Sequence, residues 1–238
     1  MYRIMITNDD GIGSDGLFRL VQTAKDFGEV VIVAPDSQRS AASHSISLHH
    51  ELDVYPYEYP VDGVEAYTCS GTPADCVRVG LLNMMVQKPD FVLSGINYGY
   101  NVATDIQYSG TVGAAFEAAF QGYHAIALSE GMSSCHEVTD AYLHQMLEEF
   151  IDKPLQPGQI ININFPDCPY GECKGILYNR TVSFGTPYRD HYVEKEKLPK
   201  GGIRLMVEGD PSTESEEGSD YRAVVENYIS VGVLTNII

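Results

Sequence analysis

Two carboxylates stand side by side at Asp9-Asp10, where an apolar run through Met5-Ile6 ends and the turn Gly11-Ile12-Gly13-Ser14-Asp15-Gly16 begins. Like charges this close at a buried rim raise one another's pKa or cost several kcal/mol. A hard cation removes the conflict. Mg²⁺ or Mn²⁺ takes oxygen ligands, often one or two carboxylates completed by neutral oxygens and water. Ser40 and Asn97, in loops that follow later apolar runs, are the neutral candidates. Taken alone, Asp-Asp-Gly reads equally as an ordinary polar turn. An EF-hand is excluded, because every glycine register leaves an apolar or glycine residue where an acidic ligand belongs.

A second group of residues suits phosphate. Ser109-Gly110-Thr111 opens a helix of small residues, and its hydroxyls and free backbone N–H groups form an anion cradle. Ordinary capping by Ser or Thr explains the same residues. Asn101 precedes the cradle, and the loop carrying Ser40 also offers Arg39, Ser43 and His44. Ser43 and His44 are candidate phosphate contacts, with His44 also a candidate proton donor; a lone histidine is more often a hydrogen-bonded structural residue. Combined, these residues describe metal-assisted phosphoryl transfer with a metal-activated water as nucleophile.

The same opening stretch has a rival reading. Gly11, Gly13 and Gly16 fit the G-x-G-x-x-G dinucleotide fingerprint, with Asp36 at the place of a ribose-binding acid. Two observations oppose it: Asp9 and Asp10 would confront the pyrophosphate, and Pro35 turns the chain before Asp36. No Walker loop and no serine–histidine–acid order stands out.

Composition narrows the partners. The 238 residues carry 33 acidic and 15 basic side chains, a formal net charge of −18. Such a surface repels nucleic-acid polymers, and it repels small phosphates too unless a bound divalent cation inverts the local field. No apolar run approaches the roughly 20 residues of a membrane helix, and no signal-peptide pattern opens the chain. Five cysteines without a C-x-x-C pair indicate neither zinc nor a disulfide framework, so a cytoplasmic, membrane-free protein is expected.

These groups must be held by alternating elements. Strands are expected at Tyr2–Thr7, Glu29–Ala34, Asp90–Ser94, His124–Ser129 and Gln159–Phe165. Helices are expected from Leu17 to about Phe27, from a Thr72-Pro73-Ala74-Asp75 start, and over Gly110–Phe120 and Thr139–Ile151. Residues Ile46–Tyr67 read as irregular strands covering one edge. The alternation predicts a three-layer, Rossmann-like, doubly wound and mostly parallel sheet, with candidate groups gathered beyond the strands' carboxyl ends. The whole chain is expected to be one domain, with a core of about 1–165 and an extension of strands or a hairpin over about 166–238. The acidic stretch Glu208–Asp220 reads as a mobile, solvated loop.

Five motifs in order resemble one family. Ile6-Thr7-Asn8-Asp9-Asp10-Gly11, Arg39-Ser40 with His44-Ser45-Ile46, Ser70-Gly71-Thr72-Pro73-Ala74-Asp75-Cys76-Val77, Ser94-Gly95-Ile96-Asn97-Tyr98-Gly99-Tyr100-Asn101 and Tyr108-Ser109-Gly110-Thr111-Val112-Gly113-Ala114-Ala115 are similar to the SurE family of stationary-phase survival proteins. The resemblance covers most of residues 3–130. It implies a metal-dependent 5′- or 3′-nucleotidase that releases phosphate from nucleoside monophosphates, and in some members from short polyphosphate. It also implies one Mg²⁺ or Mn²⁺ per subunit on Asp9, Asp10, Ser40 and Asn97. Asp9, Asp10 and Asn8 are the implied catalytic residues, and Asn101 with Ser109-Gly110-Thr111 the implied phosphate pocket. Homodimers, or tetramers made by exchanging C-terminal segments, are implied as well. Toward the C-terminus, Asn162-Ile163-Asn164-Phe165-Pro166 resembles a family landmark. Gly232-Val233-Leu234 replaces the usual Thr-Pro-Leu, and the family's Arg- and Trp-containing hairpin is not evident. A non-catalytic nucleotide-binding regulatory module and an NAD-binding enzyme are the alternatives.

Overall fold

In the computed structural model, which describes residues 1–236, the first strand β1 (Tyr2–Thr7) is flanked by β2 (Gly28–Pro35) and β5 (Phe91–Tyr98), both parallel to it. Successive side chains of a strand point to opposite faces, so near-continuous apolar runs feed two cores. Ile4 and Ile6 of β1, with Val30 and Ile32 of β2, enter one core beneath helices α1 (Asp15–Ala24) and α4 (Glu137–Phe150). Met5, Val31 and Val33 enter the other, beneath α2 (Pro73–Val79) and α3 (Gly110–Phe120). Helices on both faces make three layers, as the alternation predicts.

Among the described residues the sheet has nine strands. Beyond β2 lie β4 (Glu65–Cys69) and the short antiparallel edge β3 (Val54–Pro56), where irregular edge strands were expected. Beyond β5 lie β6 (His124–Glu130) and β7 (Gln159–Phe165), both parallel. The two-residue β8 (Ile176–Leu177) and β11 (Ile229–Thr235) close that side, β11 running antiparallel to β7.

Local chemistry explains several boundaries. Thr72 caps α2 in a full capping box with Asp75, and Pro73 occupies the first turn. Gly16, near the start of α1, lies so close to β5 that an added Cβ would sit 2.1 Å from the Ile96 carbonyl oxygen. This close approach accounts for the third glycine of the opening stretch.

Two expectations need correction. The strand expected to end at Ser94 continues as β5 to Tyr98, with an irregular register between Ser94 and Asn97. Gly95, at φ 145°, carries the chain through a conformation that side chains rarely adopt, so the segment reads locally as a turn. The acidic stretch is not wholly a loop. Glu208–Pro211 belong to β10 (Ile203–Pro211), which pairs antiparallel with β9 (Tyr188–Lys197) in a separate hairpin. At the other end Asp220 is buried and opens α5 (Asp220–Val225), accepting hydrogen bonds from Ala103 N at 3.1 Å and Ser183 N at 2.9 Å. A hairpin solvated on both faces has no inward side to impose apolar alternation, so its sequence pattern is weak.

Candidate active site

The chain leaves β1 through α1 toward β2 on one side and returns to β5 on the other. Beyond the carboxyl ends of β1 and β5 the order reverses, the place where open α/β sheets bind ligands. Asp9 and Asp10 emerge there from β1, and Asn97 lies near the end of β5. The backbone fixes their neighbours. Tyr98 N donates to Asp10 Oδ2 at 3.0 Å, joining Asp10 to the Asn97 segment. Arg39 N donates to the Asp9 carbonyl at 2.7 Å, bringing the loop with Ser40 against Asp9. Gln38 Nε2 reaches Asp10 Oδ1 at 3.4 Å.

The N-terminus of α3 supports Asp9 directly. Thr111 Oγ1 donates to Asp9 Oδ1 at 2.6 Å, and Thr111 N to Oδ2 at 3.3 Å. An added Cβ on Gly110 would lie 3.0 Å from Asp9 Oδ2, so this approach requires glycine. Burial pushes the Asp9 carboxyl up to about 6; the Thr111 hydroxyl opposes the shift and the neighbouring Asp10 adds to it. Asp10 is raised by burial too, against bonds from Tyr98 and Gln38, with Glu130 contributing. Two desolvated carboxylates, to neither of which a cationic side chain is bonded among the described residues, favour an added positive charge.

The donor set fits a hard divalent cation. Asp9 and Asp10 supply carboxylates. Asn97 donates its Nδ2 to Gly99 O at 2.8 Å, and no described residue donates to its Oδ1. Ser40 is exposed, and its hydroxyl has no partner among the described residues. Asn8 Oδ1 is buried without a donor among the described residues, while Asn8 Nδ2 binds Gly11 O at 3.0 Å and Ser14 Oγ at 2.7 Å. Oxygen-only donors suit Mg²⁺ or Mn²⁺. Among the described residues no group of three or more His, Cys, Asp or Glu is placed to hold a metal.

The phosphate candidates divide. Ser109 Oγ caps α3, accepting from Val112 N at 3.0 Å, and Thr111 is committed to Asp9; the Gly110 N–H has no acceptor among the described residues. Asn101 is buried. Its Nδ2 donates to Ser129 Oγ at 2.7 Å, and its carbonyl accepts from Asn162 Nδ2 at 2.9 Å and Asn164 Nδ2 at 3.1 Å. Ser43 and His44 bond elsewhere than Asp9 or Asp10. The Ser43 hydroxyl donates to Gln107 O at 2.7 Å, and His44 Nε2 lies 2.9 Å from Glu117 Oε2. Asn162 and Asn164 carry no role in the sequence reading. The signal was there: two amides alternating with isoleucine at the carboxyl end of a buried strand must face polar partners.

Glu117 gives this face of α3 a pH dependence. Burial pushes its carboxyl up, but bonds from His44, Gln121 and Arg78 outweigh burial and hold it at about 2. A depressed carboxylate stabilises the fold fully above its unfolded pKa near 4.5, and the contribution is lost as pH falls toward about 2. Glu117→Gln is therefore expected to lower stability at pH 7 by about 3 kcal/mol. The gap from wild type should close as urea unfolding is repeated from pH 5 down to 2.

Three N–H groups of the turn after β1 are engaged within the protein: Ile12 N by Pro35 O at 2.9 Å, Ser14 N by Gly11 O at 3.1 Å, and Leu17 N by the Ser14 side chain. Asp36 Oδ1 binds Arg39 at 3.0 Å and Ser37 at 2.8 Å.

Known proteins share this architecture. The family model described as Survival protein SurE matches residues 4–185. The 5′-nucleotidase SurE of Thermosipho melanesiensis is 38% identical over 235 residues, covering 96% of this chain and 89% of that protein. The 5′/3′-nucleotidase SurE of Shigella dysenteriae serotype 1 is 36% identical, covering 96% of this chain and 88% of that protein. The crystal structure of the SurE protein from Aquifex aeolicus superposes with a TM-score of 0.80 at 32% identity, covering 98% of this chain and 93% of that one. Matched along nearly its full length in both sequence and fold, the chain belongs to the SurE family.

Proposed function

We propose that this protein is a nucleotidase that releases phosphate from nucleoside 5′- or 3′-monophosphates with one Mg²⁺ or Mn²⁺ per chain. The observation that carries the reading is the pair of short contacts converging on adjacent carboxylates, Thr111 to Asp9 and Tyr98 N to Asp10. The names of the family relatives support the substrate class. Asp9, Asp10, Ser40 and Asn97 would hold the cation, and Asn8 Oδ1 adds an oxygen beside them. A cation bound there supplies charge neutralisation for the phosphoryl group and acidifies a water. The chain's own residues do the rest. Thr111 orients Asp9, the free Gly110 N–H and the Ser109 hydroxyl meet phosphate oxygens, and Asn101 is set by Ser129, Asn162 and Asn164 to complete the pocket.

A cytoplasmic site of action and self-association into dimers or tetramers belong to the same proposal. Among the described residues no helix is long and apolar enough to cross a membrane. The exposed β9–β10 hairpin presents Leu205 and Val207 as a surface for a second copy. Purified protein with added Mg²⁺ or Mn²⁺ is expected to release phosphate from AMP, GMP, UMP or p-nitrophenyl phosphate, and a chelator should abolish the release. No release from any of these, or release indifferent to chelator, would overturn the proposal.

A further inference from the structure

A cleft of about 580 Å³ opens beside the candidate active site, between the rim of the sheet and the base of the hairpin. Its volume falls in the range of small-molecule sites. Gly99 and Tyr100 form one side, and they lie between Asn97 and Asn101 in the chain. Tyr188, Tyr221 and Met132 line it as well. Two of the rings are fixed in place. The Tyr100 hydroxyl donates to Asp167 Oδ1 at 2.6 Å and accepts from Asp167 N at 3.0 Å, and the Tyr221 hydroxyl donates to the Ser212 carbonyl.

One charged group in this cleft lacks an evident structural partner. Asp105 lines it, half-buried, and no described residue donates a hydrogen bond to its carboxylate. Its backbone is engaged: the Asp105 carbonyl accepts from Tyr108 N at 3.0 Å and from Ser109 N at 3.1 Å. That last bond ties Asp105 to the residue capping α3, so the free carboxylate stands one turn from the candidate phosphate cradle. Burial and the nearby Asp190 both raise the Asp105 carboxyl, an environment improved by neutral donors and worsened by an anion. A phosphate is thus repelled from this end of the cleft, whereas sugar hydroxyls are attracted.

We infer that this cleft is the nucleoside subsite, in which Asp105 accepts hydrogen bonds from the ribose hydroxyls while the base lies against the tyrosine-lined wall. The inference rests on the nucleotidase reading and adds a residue that determines specificity. Acidic side chains recognise ribose hydroxyls elsewhere by the same chemistry. The carboxylate also fixes the direction of binding, sugar toward Asp105 and phosphate toward Gly110. Fixed aromatic faces accept any base, so selectivity falls on the sugar.

The test compares AMP, 2′-deoxy-AMP, 2′,3′-dideoxy-AMP and p-nitrophenyl phosphate with the metal-loaded enzyme. A hydrogen bond to a charged acceptor predicts a fall in kcat/KM of about 10- to 100-fold from AMP to the dideoxy analogue. Asp105→Ala should lose that discrimination by losing activity on AMP, while turnover of p-nitrophenyl phosphate stays within about twofold. Asp105→Asn, of equal size and still an acceptor, should fall between. Equal wild-type turnover of AMP and the dideoxy analogue would overturn the inference. So would an Asp105→Ala protein that loses p-nitrophenyl phosphate turnover in proportion to AMP, the mark of a structural role. Wild-type protein inactive on all four substrates would overturn the nucleotidase reading, and this inference with it.

Discussion

Asp9→Asn is expected to lower kcat/KM for nucleoside monophosphates by about 1,000-fold or more, because the proposed cation would supply several kcal/mol of charge stabilisation. The substitution is nearly isosteric. An asparagine Oδ1 still accepts from Thr111 Oγ1, and only the weaker bond from Thr111 N, 3.3 Å long, is lost to an opposing N–H. Stability should move the other way. Burial holds the Asp9 carboxyl up at about 6, above its ordinary 3.8, so between these values the folded chain keeps a proton that the unfolded chain has released. Ionised Asp9 therefore opposes folding above pH about 6 when no cation is present. In chelator at pH 7, urea unfolding of Asp9→Asn should show a midpoint no lower than wild type. A variant that unfolds in the purification buffer, or one that keeps wild-type turnover, contradicts the role given to Asp9.

Arg19→Ala is expected to destabilise the fold by about 3–5 kcal/mol, the cost of leaving a buried charge without its partner. Arg19 on α1 reaches Glu130, which is only 3% exposed at the end of β6, and also binds Asp15 at 2.7 Å and Asp140 at 2.9 Å. Glu130 would keep Thr139 Oγ1 at 2.6 Å and His136 Nδ1 at 3.0 Å, but would lose its guanidinium. Removing the charge as well, in Arg19→Met with Glu130→Gln, should recover most of the loss. Arg204→Ala is the control: its pair with Glu196 is exposed on the hairpin, and such pairs contribute less than about 1 kcal/mol. A urea-midpoint loss for Arg19→Ala no larger than for Arg204→Ala would show that this network carries no stability.

Where the chain buries apolar runs, the structure was legible in the residues. Ile4-Met5-Ile6 and Val30-Val31-Ile32-Val33 are apolar at every position because helices cover both faces. The α2 start was equally plain, since Thr72, Pro73 and Asp75 act within one turn. Where burial gives no instruction, reading failed. The end of β5 passes through Gly95 and looks like a turn, and the exposed hairpin has no core to impose a pattern.

The candidate site was legible to the level of residues but not of partners. Adjacent carboxylates and a hydroxyl-rich helix start are visible locally. That Thr111 turns to Asp9, 102 residues away in sequence, is decided by the packing of α3 against β5 and β6. Arg19 and Glu130 were missed for the same reason, being 111 residues apart. Asn162 and Asn164 could have been assigned, because an amide buried in an isoleucine strand needs a partner and Asn101 supplies it.

The most direct measurement is equilibrium Mn²⁺ binding by electron paramagnetic resonance, with wild type and Asp9→Asn side by side. One Mn²⁺ per wild-type chain, lost or greatly weakened in Asp9→Asn and displaced by Mg²⁺, is the predicted result. Equal binding by the two proteins, or none by an active wild type, would contradict a cation held by Asp9 and Asp10.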